Sequence, residues 1–305
     1  MTIEMASKLT TMQQAVSTMQ EGQNLTFGGF AHSLAPLAFV REMIRQGKKG
    51  FDLTSMGECW AVDLLSGVGA IRRARLSNYM FEGYGRCMNF SRAVESGEMQ
   101  VEDYSHFGIT SRFLAGALGV PFLPLRSMAG TDIERIRSFD SNKMARVNSP
   151  FNGEEVVAVE AVQPDVAIVH VSRCDQQGNC QIFGMTSTID EQVRSAKRVI
   201  VTAEEIVDSE VIRKQPELTI IPGFLVDAVV EAPYGAHPAG MYRYYDYDPE
   251  HIRCYWELSR TAEGFGRYLD EFVYGTRNHW DYLERIGLRR LFELRADPYL
   301  GYAWR

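Results

Sequence analysis

The sequence has 305 residues, of which 45% are hydrophobic and 23% charged, a composition typical of a folded globular protein of one or two domains. It therefore excludes a disordered chain, a collagen-like chain and a small disulfide scaffold. Its 32 Lys and Arg against 39 Asp and Glu leave a net charge of −7, and no basic run offers the clustered cations that nucleic-acid phosphates require.

No stretch approaches 18 consecutive apolar residues, so we predict no membrane span. The N-terminal segment MTIEMASKLTTMQQAV lacks the apolar core of a signal peptide, and we expect a cytoplasmic protein. The five cysteines are odd in number and scattered, which indicates free thiols. The one close pair, Cys174 and Cys180, does not have the spacing of a zinc site, and we predict no metal centre.

The first half of the chain alternates short β-rich runs with helical patterns. In order, the patterns predict a helix at Met5–Glu21, a strand at Asn24–Phe27, a helix at Leu37–Arg45, a strand at Phe51–Met56, a helix at Trp60–Leu65, strands at Arg75–Met80 and Met99–Val101, a helix at Gly108–Leu118 and a strand at Val120–Leu125. Such alternation indicates βαβ units and a mostly parallel sheet.

The second half continues this pattern with an extended run at Glu155–Val162, strands at Asp165–Val171, Arg198–Thr202, Leu218–Ile221 and Val226–Val230, and a helix at Thr186–Ala196. The nearly all-apolar run DVAIVHV is typical of a central parallel strand that is buried on both faces. We predict an α/β fold with an open, mostly parallel sheet flanked by helices over residues 1–247. Residues 248–305 are predicted to form a helical C-terminal extension of the same domain.

Ligands of open α/β sheets bind at the carboxyl ends of the strands, so the residues that follow each predicted strand are candidates for the site. Gly28, Gly29 and Phe30 follow the first strand, where glycines let the backbone approach a ligand and aim N–H groups at an oxyanion. The alternative is a plain tight turn. The sequence has no G-x-S-x-G elbow, which argues against a serine hydrolase.

Acidic residues near two predicted strand ends are candidates for covalent or acid–base chemistry. Glu58 follows the second strand, where it has either a nucleophilic role or the plain role of a carboxylate favoured at a helix N-terminus. Glu102 and Asp103 form either a carboxylate pair with one raised pKa or a solvated strand end.

Further polar residues in these loops are candidates for substrate binding. His106 is either a ligand-binding or proton-transferring group or a hydrogen-bonded loop histidine, and Ser105 precedes it. Arg126 and Ser127, near Asp132, are suited to hold a carboxylate or phosphate, because Arg offers bidentate donors. The alternative is an internal ion pair between Arg126 and Asp132.

Taken together, these pieces resemble the A subunits of the family I coenzyme A transferases, including those of the glutaconate and 3-oxoadipate enzymes. The resemblance covers Thr26 to Gly287. Its pieces are TFGGF (Thr26–Phe30), FVREMIRQGKKGFDLTSM (Phe39–Met56), AGALGVPFLPLRSMAGTDI (Ala115–Ile133), PDVAIVHVSRCDQQGNCQIFG (Pro164–Gly184), KRVIVTAEEIV (Lys197–Val207), VDAVVEAPYGAHP (Val226–Pro238), YYDYD (Tyr244–Asp248) and FVYGT (Phe272–Thr276).

The resemblance implies a fold related to the sugar-phosphate isomerases and an enzyme of A and B subunits, assembled as A2B2 or larger. Coenzyme A thioesters are then substrates, with no permanently bound cofactor. The nucleophilic glutamate of the family is normally on the B subunit, where it forms a glutamyl-CoA intermediate. The loop of Gly28, Gly29 and Phe30 would face that glutamate, and the loops Glu102–His106 and Arg126–Asp132 would line the acid end of the pocket.

The resemblance leaves three alternatives open. Glu58 lies where the B subunit carries its nucleophile, but Cys59 and Trp60 do not match the glutamate-asparagine-glycine motif of B chains. A related branch hydrolyses a carbon–carbon bond of a CoA thioester during steroid degradation, with an acidic residue of its A chain near the level of Glu102. A non-catalytic sensor of related fold is a further alternative, although this chain has no DNA-binding module.

Overall fold

The structure, a computed structural model, describes residues 6–297 and 299–303. The strands are β1 (Asn24–Phe27), β2 (Phe51–Met56), β3 (Ile71–Ser77), β4 (Gln100–Asp103), β5 (Phe122–Leu125), β6 (Ala145–Asn148), β7 (Glu155–Glu160), β8 (Val166–Cys174), β9 (Cys180–Gln181), β10 (Val199–Ile206), β11 (Thr219–Ile221) and β12 (Ala228–Glu231).

The helices connect these strands and form the C-terminal part of the chain. They are α1 (Met12–Ser17), α2 (Leu37–Arg45), α3 (Trp60–Gly67), α4 (Met88–Glu95), α5 (His106–Leu118), α6 (Asp132–Arg135), α7 (Ile189–Ser195), α8 (Ser209–Arg213), α9 (Pro249–Ser259), α10 (Ala262–Leu269), α11 (His279–Ile286) and α12 (Leu288–Leu294), with a π-helical turn at Asp270–Tyr274. Among the described helices, none is both long enough and apolar enough for a membrane span.

The main sheet confirms the predicted open, mostly parallel architecture. Its parallel strands lie in the order β12-β10-β8-β1-β2-β3-β4, and the short strands β9 and β11 add an antiparallel corner beside β8. The apolar run of β8 lies at the centre, and Val166 to Val171 are fully buried on both faces. This burial explains why the run is continuously apolar rather than alternating.

The first predicted helix is shorter than expected. The helix begins at Met12 because Thr11 forms a capping box with Gln14, which fixes the first turn. The chain before it is extended, with Leu9 bridging to Val229 at the end of the sheet. The predicted first residue of this helix, Met5, lies outside the described residues.

The run Val120–Leu125 does not join the main sheet, contrary to our prediction. Its strand β5 pairs with β7, which pairs with β6, in a separate antiparallel sheet of order β5-β7-β6. Val157 and Val159 of β7 are buried on one face, whereas Phe122 of β5 lies exposed on the other. A short apolar run does not reveal which sheet it joins, because neither its length nor its hydrophobicity encodes a partner strand.

The helices predicted beyond Asp248 are present and pack against helices α2 and α4. Tyr255 on α9 is fully buried, and its hydroxyl donates to the Asp63 carboxylate on α3 at 2.6 Å. The Asp248 carboxylate caps α9 and also contacts His237 and Arg290. These polar contacts pin the helical segment to the α/β layer that carries the candidate site.

Candidate functional site

Four neighbouring parallel strands place their carboxyl ends at one edge of the main sheet. The loop of residues 28–34, which we call the glycine loop, follows β1. Gly57 and Glu58 follow β2, Ser77 ends β3, and Ser105 and His106 follow β4. Parallel strands bring these ends together, and this edge is where open α/β sheets bind ligands. The structure thus confirms that these segments meet at one edge.

The backbone of the loop after β1 adopts an unusual conformation. Gly29 has φ +116°, and the non-glycine residues Ala31 and Leu34 have φ +50° and +64°. A Cβ at Gly29 would lie 2.8 Å from the Ser33 carbonyl oxygen, so only glycine fits. Such backbone strain concentrates at functional sites, where the surrounding structure enforces it.

The N–H group of Gly29 is a candidate hydrogen-bond donor for a ligand. The loop is fixed by the Phe30 N–H to the Ser33 carbonyl at 3.0 Å and by the Ala31 N–H to the Gly57 carbonyl at 2.9 Å. Gly29 is buried, yet its N–H forms no hydrogen bond within the described part of the chain. Buried N–H groups without a partner are rare, and this donor fits the oxyanion-binding role expected of the loop.

Glu58 is fully buried at the N-terminus of α3. Its carboxylate accepts the Trp60 N–H at 2.8 Å and the Ala61 N–H at 3.0 and 3.1 Å, which are the contacts of a helix cap. Burial raises the pKa of Glu58 to about 8, against the lowering effect of these N–H bonds. The contacts match the capping alternative, whereas a nucleophilic role would require this carboxylate to leave its burial site.

Ser105, which directly precedes His106, lies in contact with Ser127. Ser105 caps α5 through its Oγ, which accepts the Gly108 N–H and lies 2.9 Å from the Ser127 Oγ. The His106 ring lies 6.0 Å from the Phe30 ring between centroids, and this contact joins the β4 loop to the glycine loop. A cluster of hydroxyl and imidazole groups therefore flanks the glycine loop.

Glu102 lies beneath the edge rather than on it. Its carboxylate is 1% exposed, pairs with the Lys143 ammonium at 3.0 Å and accepts the backbone N–H groups of residues 138–140 at 2.9–3.1 Å. Burial alone raises the pKa of Glu102, but the Ser138 N–H bond and Lys143 outweigh it and hold the pKa below its usual value. All of these contacts hold the segment that follows α6 against β4.

Arg126 and Asp132 are not paired with each other, so the alternative of an Arg126–Asp132 ion pair is wrong. Arg126 is largely exposed and forms a bidentate pair with Glu154 on the neighbouring hairpin, at 2.7 and 2.8 Å. Asp132 is exposed and lies 3.5 Å from Arg135 one turn along α6. The antiparallel sheet causes this arrangement, because Arg126 directly follows β5, Glu154 directly precedes β7, and these two strands pair.

Ser77 is a residue of the site edge that the sequence pattern did not single out. Its Oγ lies 2.9 Å from the His106 Nδ1, and Ser77 itself is buried. The predicted strand ran on to Met80, whereas β3 ends at Ser77, so the boundary error hid this residue inside a strand. The polar character of a residue at a strand end is the signal that would have found it.

A cavity of about 430 Å³ opens beside the second half of the glycine loop, lined by Ser33, Leu34, Phe183, Gly184, Met185, Tyr242 and Tyr302.

Within residues 6–297 and 299–303, no three His, Cys, Asp or Glu side chains come together as a metal would require. The five cysteines are free thiols, and the Sγ atoms of Cys174 and Cys180 lie 3.0 Å apart across the β8–β9 hairpin.

Comparison with known proteins assigns a family to this architecture. The chain matches the family model described as coenzyme A transferase over residues 9–232. It is 35% identical to the A subunit of glutaconate CoA-transferase from Acidaminococcus fermentans, over 97% of each chain. The crystal structure of glutaconate coenzyme A-transferase from that organism superposes with a TM-score of 0.92, covering 98% of this chain and 99% of that one.

Two further relatives carry different activities in their names. The chain is 32% identical to the A subunit of 3-oxoadipate CoA-transferase from Pseudomonas knackmussii, over 92% of this chain and 98% of that protein. It is 26% identical to the cholesterol ring-cleaving hydrolase IpdA subunit of Rhodococcus jostii, over 90% of this chain and 94% of that protein. The transferase similarity is therefore higher than the hydrolase similarity.

Proposed function

The chain belongs to the coenzyme A transferase family as an A subunit, and from that premise we propose that it transfers coenzyme A between a thioester and a carboxylic acid. We propose that it does so only with a B subunit, in a cytoplasmic hetero-oligomer of composition A2B2 or larger. The observation that carries the proposal is the strained glycine loop with its unpartnered Gly29 N–H at the carboxyl edge of the sheet.

In the proposed reaction the nucleophile is a glutamate of the B subunit, which attacks the thioester carbonyl while coenzyme A leaves as its thiolate. The resulting acyl-glutamyl anhydride is attacked by that thiolate, which gives glutamyl-CoA and the free acid. The acceptor carboxylate then repeats both steps in reverse. Each attack places negative charge on a carbonyl oxygen, which the Gly29 N–H would stabilise.

The acid is proposed to be a dicarboxylic or 3-oxo acid, held by Ser105, His106 and Ser127 beside the glycine loop. Arg126 is proposed as an outer anchor for a second carboxylate, because its guanidinium is exposed and already binds a carboxylate in bidentate fashion. In that role the substrate displaces Glu154. Asp132, at the far end of the same loop, is proposed to limit the pocket on its solvent side.

The second candidate function is hydrolytic cleavage of a ring carbon–carbon bond in a CoA thioester, with Glu102 as the acting acid. The similarity to the IpdA subunit supports it. The burial of Glu102 against Lys143 counts against it, because a carboxylate with every oxygen engaged is not free to handle a water or a proton.

Native mass spectrometry of the protein purified from its own cells, followed by a CoA-transfer assay with a panel of acids, tests the proposal. We expect a second α/β chain to co-purify and the pair to exchange CoA between acids. If the chain instead turns over acyl-CoA alone, the nucleophile is on this chain and Glu58 and Glu102 become the candidates. Hydrolysis without exchange would favour the second function.

A further inference from the structure

We propose that Ser77 holds His106 in the tautomer that carries its proton on Nε2, so that His106 presents an N–H donor to an oxygen of the carboxylic-acid substrate. Ser77 is then a positioning residue that acts through His106. The inference rests on the proposed function for the identity of the substrate, but the tautomer itself is a property of the protein.

The two residues meet across neighbouring strands. Ser77 is the last residue of β3, His106 is the first residue of α5 directly after β4, and β3 pairs with β4 in parallel. The Ser77 Oγ lies 2.9 Å from the His106 Nδ1, which is hydrogen-bonding distance. The register of the sheet thus brings a buried hydroxyl to one specific nitrogen of an exposed ring.

The burial of Ser77 decides which atom donates. Ser77 is 1% exposed, and Nδ1 of His106 is the one partner found for its hydroxyl within the described residues. If the hydroxyl donates to Nδ1, its buried O–H is satisfied. If Nδ1 carried the proton instead, the O–H would be left without an acceptor, and a buried donor without a partner is costly. Nδ1 is therefore the acceptor, and the proton lies on Nε2.

The Nε2 atom faces away from this bond and is available to a ligand. His106 is exposed, and within the described chain no hydrogen bond to its Nε2 is found. Its ring contacts that of Phe30, which directly follows the unpartnered donor Gly29. Two donors for which the described residues hold no partner, one from the loop backbone and one from an imidazole beside it, therefore lie at the same loop.

The other histidines are engaged differently. All six lie in the described residues, and His170, His237, His251 and His279 are buried.

His32 also lies on the glycine loop, but its ring nitrogens contact the Trp60 indole N–H at 3.1 Å and the Phe81 carbonyl at 3.4 Å. Since indole only donates, Nδ1 of His32 accepts and its Nε2–H points into the protein. His106 is thus the exposed histidine, and His32 serves as an internal reference of known tautomer.

Long-range ¹H–¹⁵N NMR of the full chain labelled with ¹⁵N-histidine tests the tautomer without any assay of activity. At about pH 9, well above the ordinary imidazole pKa of about 6.5, we expect His106 to show the Nε2–H pattern, like His32. The His106 signal is assigned as the one missing from His106→Gln. In Ser77→Ala we expect the two tautomers to mix, and Ser77→Thr should restore one. A wild-type Nδ1–H pattern, or an unchanged pattern in Ser77→Ala, overturns the inference.

Kinetics of the reconstituted two-subunit enzyme test the donor. The Gln side chain places an amide donor near the position of Nε2, whereas Asn reaches only the position of Nδ1. We therefore expect His106→Asn to raise the KM for the acid roughly tenfold or more, and His106→Gln to retain most of the affinity. Equal losses in both variants would refute the donor role. Absence of any CoA transfer would instead refute the proposed function and leave the NMR result standing by itself.

Discussion

The Glu102 carboxylate and the Lys143 ammonium lie 3.0 Å apart, and each side chain is 1% exposed. The same carboxylate accepts three consecutive backbone N–H groups, while the ammonium also donates to the Ile136 carbonyl. Two opposite charges are thus neutralised inside the protein, and the segment after α6 is folded around them. The hydrogen bonds found for the Glu102 carboxylate in the described residues thus go to Lys143 and to the backbone of residues 138–140.

We expect Glu102→Gln to lower the free energy of unfolding by about 3–5 kcal/mol, because it leaves the Lys143 charge buried without compensation. Urea unfolding measures the loss. The double variant Glu102→Gln/Lys143→Met removes both charges and should recover a large part of it. A single variant as stable as the wild type would contradict this account of the pair.

The same double variant separates the two candidate reactions. Because it restores stability without restoring the carboxylate, CoA transfer in the double variant should approach the wild-type rate. If the chain is instead a ring-cleaving hydrolase that uses Glu102, the double variant should be folded and inactive.

The pKa of Glu58, raised from 4.5 to about 8, makes stability depend on pH. Below pH 4.5 the folded and unfolded states both hold the proton. Between pH 4.5 and about 8 only the folded state holds it, so the free energy of unfolding falls by a few kcal/mol as pH rises. The amide side chain in Glu58→Gln does not titrate. Urea unfolding at pH 5, 6, 7 and 8 should therefore show the free energy of unfolding of the variant rising relative to that of the wild type as pH rises.

A matched control for Glu58→Gln is Glu95→Gln, at an exposed position at the end of α4. Its free energy of unfolding should change with pH in the same way as that of the wild type over this range. Parallel curves for Glu58→Gln and the wild type would contradict a protonated, buried Glu58.

The sequence pattern was sufficient to predict the parallel sheet and the convergence of its loops. The buried run of β8 and the glycines after β1 are local signals in the sequence. The rule that ligands bind at the carboxyl ends of parallel strands then predicts where the site lies. The partners of Arg126 and Glu102 were not predictable, because Glu154 and Lys143 are distant in sequence and come close only through the antiparallel sheet and the turn after α6. Long-range pairing depends on tertiary packing, which residue spacing does not encode.

The glycine loop offers a paired test of backbone conformation. Gly29→Ala forces a Cβ against the Ser33 carbonyl at a φ of +116°, so the loop must change shape and move its N–H. We expect CoA transfer to fall about 100-fold, the usual effect of losing one oxyanion donor. At Gly28 the atoms nearest to a Cβ, from 2.9 Å, belong to the Val169 and Ile189 side chains rather than to backbone, so Gly28→Ala should cost stability and lower activity much less than Gly29→Ala does. Full activity in Gly29→Ala would rule out the oxyanion role.

The exposed pair of Arg126 and Glu154 distinguishes an anchor from a surface ion pair. If Arg126 binds the second carboxylate of the acid, then Glu154→Gln frees it and should lower the KM for a dicarboxylic acid. Arg126→Ala should raise that KM by no more than about fivefold, because an exposed charge pair contributes little. The KM for a monocarboxylic acid should not change in either variant.

Arg146→Ala is the matched control, because Arg146 forms similar exposed pairs with Glu134 and Glu155 on the same sheet. Equal changes in KM for both kinds of acid, or for the Arg126 and Arg146 variants alike, would show that Arg126 forms only a surface ion pair.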